Sequence, residues 1–147
     1  MKRVIPGVAL SVGLLLSGYA AGQDLPQAVV DLELSDIQIR EKPRAEYGRR
    51  VRGSLPNGVR VEVDLDGDGI IEDVEARGNG LFPIGEIQSL VPSAISDNAS
   101  WPTDAQLEKI EFERGGGIEI EGVLADGREF DAEFAADGRM LEFDIDD

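Results

Sequence analysis

Residues 51–69 read VRGSLPNGVRVEVDLDGDG, and beyond Asn57-Gly58 their apolar residues fall at every second position. Val59, Val61, Val63 and Leu65 alternate with Arg60, Glu62 and Asp64. Side chains of a strand point alternately to its two faces, so this pattern predicts a half-buried antiparallel strand with one polar face. Asp68-Gly69 marks the turn that follows. Asn57-Gly58 predicts a type I′ hairpin before it, because both central residues of that turn need positive φ.

The same stretch returns later in the chain. IEGVLADGREFDAEFAADG (120–138) aligns with 51–69 at a constant offset, matching Gly53 to Gly122, Leu55 to Leu124, Gly58 to Gly127 and Asp68-Gly69 to Asp137-Gly138. Leu25-Pro26-Gln27-Ala28-Val29 is likewise echoed by Val91-Pro92-Ser93-Ala94-Ile95. Self-similarity at a fixed offset points to an internal repeat. In each copy proline stands where the first turn of a helix tolerates it. Ile37/Ile39 and Ile110/Phe112 supply an earlier strand, and Leu141, Phe143 and Ile145 a last one. The expected fold is α+β, with two tandem repeats, each a short helix followed by an antiparallel meander of about four strands. The boundaries are 23–77 for the first repeat, 78–90 for a connector and 91–147 for the second. Ile84, Ile87 and Val91 give the connector helical spacing. Trp101 and Tyr47 are expected to pack in the core or at its rim.

Residues 1–22, MKRVIPGVALSVGLLLSGYAAG, have the order of a secretory signal: Lys2 and Arg3, an apolar run from Val8 to Leu16, then Ala20, Ala21 and Gly22. The run is shorter than the roughly 20 residues a membrane span needs. Cleavage would leave about 125 residues, enough for one ordinary domain or two very small ones. The chain has no cysteine, which excludes disulfides and thiolate chemistry. Export without cysteine favours a periplasmic location, or secretion. The full-length charge is −16; loss of Lys2 and Arg3, with no acid before Asp24, leaves −18. Such a surface repels nucleic acid and anionic lipid and favours cations or basic partners.

The helix start Pro-x-Ala-[Val/Ile], the [Asn/Asp]-Gly turn, the acidic strand and the Asp-Gly turn before a last strand resemble PepSY-type modules. KIEFERGGGIEIEGVLADGREFDAEFAADGRMLEFDIDD, residues 109–147, carries most of that resemblance, and residues 25–77 look like a diverged first copy. Ile118 stands near the place of the family's usual tyrosine. The resemblance implies a helix on an antiparallel sheet, free-standing in the periplasm, that binds or inhibits a partner and has no catalytic residues.

Asp64, Asp66 and Asp68, with Gly69 and then Glu75, fit the spacing of a calcium loop, in which carboxylates at alternate positions converge on one hard cation. Glu75 is the weak member. If residues 69–75 form a strand, six steps of roughly 3.3 Å carry it about 20 Å from the turn. The matching turn of the second copy, Ala135-Ala136-Asp137-Gly138, lacks two of the three aspartates.

Nothing in the chain reads as catalytic. There is no histidine to serve as general base or neutral metal ligand. Gly115-Gly116-Gly117 leads into Ile118-Glu119-Ile120 rather than a helix, so it reads as a loop between strands and not a phosphate cradle. The sequence therefore predicts an exported, non-enzymatic binding or inhibitory protein that recognises a protein or peptide through its acidic strand faces. It expects no nucleic acid, no membrane after cleavage and no required cofactor. The alternative is a calcium-binding structural or buffering protein acting through Asp64, Asp66 and Asp68.

Overall fold

The computed structural model describes residues 24–44 and 46–146. The signal segment expected at 1–22 lies outside the described residues. Helix α1 (Gln27–Val30) precedes strands β1 (Ser35–Glu41), β2 (Arg49–Ser54), β3 (Arg60–Leu65) and β4 (Ile71–Ala76). A two-residue strand β5 (Phe82–Pro83) runs into a 3-10 helix (Ile84–Leu90) and then α2 (Ser93–Ser96). Strands β6 (Gln106–Phe112), β7 (Ile118–Val123), β8 (Glu129–Phe134) and β9 (Met140–Ile145) complete the chain.

All the strands belong to one antiparallel sheet, in the order β1-β2-β3-β4-β6-β7-β8-β9, with β5 pairing beside β6. This corrects the α+β expectation. The protein is β-rich: α1 and α2 are four residues each, and the two meanders join into a continuous sheet rather than standing as helix-and-sheet units. The joint is short. Asp73↔Glu111, Val74↔Ile110 and Glu75↔Lys109 are its paired positions.

The helices stay short for local reasons. Pro26 and Pro92 hold extended backbone at the N-caps. Glu33 takes a φ of 53° just past α1, which turns the chain out of helical geometry. What the sequence read as helical spacing in the connector is a 3-10 turn that buries Ile84 and Ile87.

The register lays one apolar row across the sheet: Ile39, Val51, Val63, Val74, Ile110, Ile120, Ala132 and Phe143. Val51, Val63, Val74, Ile110, Ile120 and Ala132 are fully buried. Val29, Leu32, Ile84, Ile87, Ile95 and Trp101 belong to the same hydrophobic cluster, so the helices and connector cover this face. Trp101 packs edge-on against Phe134, centroids 5.4 Å apart. Tyr47 departs from the packing expected of it: it is 72% exposed and takes a left-handed φ of 48°.

Five hairpin turns share one geometry. In Leu55–Val59, Asp66–Ile70, Glu113–Gly117, Leu124–Arg128 and Ala135–Arg139 the first residue accepts from the glycine N–H three positions on and donates to the carbonyl of the fifth. The glycine alone takes positive φ, between 81° and 92°. These are three-residue loops closed by a glycine bulge, not the type I′ turn that Asn57-Gly58 suggested. Pro56 explains the first, since it lacks the N–H that the residue before a two-residue turn at Asn57-Gly58 would donate across the hairpin.

Candidate functional site

The face opposite the core is charged throughout. Successive strand pairs place Arg40, Arg50, Asp64, Asp73, Glu111, Glu119, Glu133 and Glu142 in one row across the sheet. Beside it runs a second: Gln38, Arg52, Glu62, Glu75, Lys109, Glu121, Asp131 and Asp144. The first row begins with two arginines and the second with Gln38 and Arg52, and both end acidic.

The first half of this face is neutralised. Arg50 Nε lies 3.3 Å from Asp64 and 3.8 Å from Glu62, Arg77 lies 3.6 Å from Glu62, and Arg52 hydrogen-bonds Glu62. Lys42 reaches in from beyond β1, its side chain only 4% exposed, to contact Glu72 at 2.7 Å and Asp64 at 3.5 Å. Burial works to lower the Lys42 pKa, but the Glu72 hydrogen bond and the two carboxylates outweigh it and hold the ammonium charged.

The second half is not neutralised. Residues 24–77 carry thirteen acidic against eight basic side chains, and residues 91–147 carry sixteen against four. Over β6–β9 Lys109 is the one basic residue in the two rows, and it turns to Glu111 at 2.9 Å. Beyond it, Glu119 faces Glu133 and Glu121 faces Asp131, followed by Glu142 and Asp144. Like charges directly opposite on adjacent strands are destabilising.

The crowding shows in proton affinities. Desolvation, then the Asp131 charge, raises the Glu119 pKa; desolvation, then Asp144, raises that of Asp131. A hydrogen bond with Asp144 raises Glu142. At the joint of the two halves Asp73 is pushed up to about 6, by desolvation first and by Asp64 next. Glu119, Glu121 and Asp131 bring carboxylate oxygens within 4.8 Å of one another. One ammonium or guanidinium group placed between them would contact all three.

Of the four residues of the expected cation loop, Asp66 and Asp68 share one groove while Asp64 and Glu75 stand on strands. Asp64 lies on β3, facing Asp73 across the sheet and contacting Lys42 and Arg50. Asp66 closes the turn: its Oδ1 accepts the N–H groups of Asp68 and Ile70, each at 2.9 Å. Asp66 and Asp68 line an open groove with Asp24, Glu41, Tyr47 and Arg49. Glu75 sits up β4, opposite Glu62.

The carboxylates of β7–β9 were visible in the sequence only as the polar half of an alternation. Their alignment into rows depends on register, and on the pairing of β4 with β6, which no local motif announces.

No family model matches the chain, so the PepSY-type resemblance has no family match behind it, and no curated protein matches. Solved structures similar to it include two from Bacteroides. One is a putative periplasmic protein of unknown function from Bacteroides vulgatus, 21% identical, covering 82% of this chain and 91% of that one with a TM-score of 0.47. The other is a BLIP-like protein from Bacteroides fragilis, 16% identical, covering 83% and 86%, with a TM-score of 0.35. Among the described residues no helix is long and apolar enough to cross a membrane.

Proposed function

We propose that this is an exported, non-enzymatic binding protein whose acidic sheet face over β6–β9 holds a protein or peptide partner rich in lysine or arginine. The observation that carries the reading is the opposition of Glu119 to Glu133 and Glu121 to Asp131, extended by Glu142 and Asp144. Solubility alone needs charge scattered over a surface, whereas directly opposed carboxylates cost stability, on the order of a few tenths of a kcal/mol per pair. A basic partner removes that cost when it docks, so the repulsion within the free protein becomes part of the affinity. The sequence resemblance of residues 109–147 to PepSY-type modules points the same way, since that family binds or inhibits partners.

The test is comparative capture from periplasmic extract by the wild-type protein and by Glu119→Lys/Asp131→Lys. Proteins retained by the wild type, released by added salt and lost from the double variant support the reading. Identical retention by both overturns it.

A further inference from the structure

We infer that the partner engages the sheet's free edge: an extended segment with lysine or arginine at alternate positions, and apolar residues between them, adds as a strand alongside β9. The inference rests on the acidic-face reading and narrows it to a mode of docking. Among the described residues β9 ends the sheet, paired with β8 on one side only. The Asp146 N–H donates to the Glu129 carbonyl at 3.0 Å. Inward-bonding residues alternate along an antiparallel strand, so the backbone groups of Phe143 and Ile145 point away from β8.

Side chains on this edge match the backbone. Phe143 and Ile145 lie on the apolar face, opposite Ala132 and Phe130, with Ile145 37% exposed. Phe143 is anchored by stacking on Phe130, centroids 5.6 Å apart. Glu142 and Asp144 lie on the charged face, continuing the rows from Glu133 and Asp131. An added strand thus meets outward backbone groups, an apolar strip on one face and carboxylates on the other. Charge decides the occupant: a chain of net −16 repels a second copy of itself and draws in a cationic segment. The other edge is more irregular: β1 breaks register between Ser35 and Gln38, with Asp36 at a φ of 51°, whereas the shift in the β8–β9 pairing falls at Leu141 and leaves Glu142–Ile145 in register.

The test is titration of the mature protein with Lys-Val-Lys-Val-Lys-Val-Lys and with the block peptide Lys-Lys-Lys-Lys-Val-Val-Val at low ionic strength. The alternating peptide should bind about tenfold tighter, because only it sets apolar and basic side chains on the correct faces together. Its valines should lie opposite Phe143 and Ile145 with their amides directed at β9, so N-methylation of the valine amides should abolish the advantage and N-methylation of the lysine amides should leave it. Ile145→Lys, at a partly exposed position of the apolar strip, should also remove the advantage while leaving the melting curve unchanged. Equal binding of the two peptides, or indifference to valine methylation, overturns strand addition while the acidic-face reading stands. If neither peptide binds, both readings fall. Concentration-dependent dimerisation without peptide would show that a second copy takes this edge and would overturn the proposal.

Discussion

Asp73 faces Glu111 across the junction of β4 and β6, carboxylate opposite carboxylate, at the place where the two halves of the sheet meet. Half-buried, and close to Asp64 and Glu75 as well, Asp73 holds its proton up to about pH 6 against an ordinary value of 3.8. A carboxyl with a raised folded-state pKa binds its proton more tightly folded than unfolded. Its stabilising contribution is complete below 3.8 and is lost as the pH climbs through about 6. The melting temperature should therefore rise between pH 7 and pH 5. Asp73→Asn should stabilise the protein at pH 7, by about 1 kcal/mol once screening at the exposed side is allowed for, and should flatten the rise in melting temperature. Calorimetry across that range checks both. A melting temperature that falls from pH 7 to pH 5 contradicts the assignment.

Lys42 ties the segment after β1 to the charged face through Glu72 and Asp64. Lys42→Ala removes a buried ammonium from two carboxylates and should destabilise the protein by about 2 kcal/mol, less than a fully buried pair because Glu72 is half-exposed. Lys42→Met retains the apolar stem and should lose less. Urea unfolding of the two variants measures the difference.

The aspartate-rich turn is closed by Asp66 Oδ1 on two backbone N–H groups, while Asp64 is engaged by Lys42 and Arg50. Asp66→Ala should cost about 1–2 kcal/mol through those lost bonds. The loss should be the same with and without millimolar calcium, and the wild-type melting temperature should not move on adding the ion. A calcium-dependent rise that Asp66→Ala abolishes would establish the cation-loop reading.

Gly122 packs against the bulge of β6, where the register shifts between Leu107 and Lys109. A Cβ there would overlap the carbonyl oxygen of Gln106 and crowd the Leu107 Cα. Both are backbone atoms that no rotamer change can move. Gly122→Ala should therefore destabilise by about 2–4 kcal/mol, the range of a severe core clash, measured by chemical denaturation. Gly127→Ala tests a different cause, since its Cβ meets open space but its φ is 91°. It should cost about 1–2 kcal/mol.

The strands were legible because their cause is local. Val61, Val63 and Leu65 declare one face of β3, and Phe130, Ala132 and Phe134 one face of β8, whatever lies beside them. Helix length was less legible: Pro-x-Ala marks where a helix begins, but the Glu33 backbone that ends α1 leaves no comparable mark. Turn type was misread because Asn57-Gly58 fits two geometries, and Pro56 decides between them. The merging of the two meanders was not legible at all. Val74↔Ile110 looks like any apolar pair, and the connector that brings them together contains no turn signal specific to that pairing. The acidic face inherits that blindness, since its rows exist only once every register is set.

The strand order has a bearing on how the chain folds. Every neighbouring pair in the main path of the sheet except β4–β6 is also neighbouring in sequence. Pairings of that kind close short loops, and their entropic barrier is low. Each half can therefore zip up hairpin by hairpin, and the slow step falls on the one contact that spans the connector. Asp73 and Glu111 lie in that contact, so the pH that neutralises their repulsion should also speed refolding.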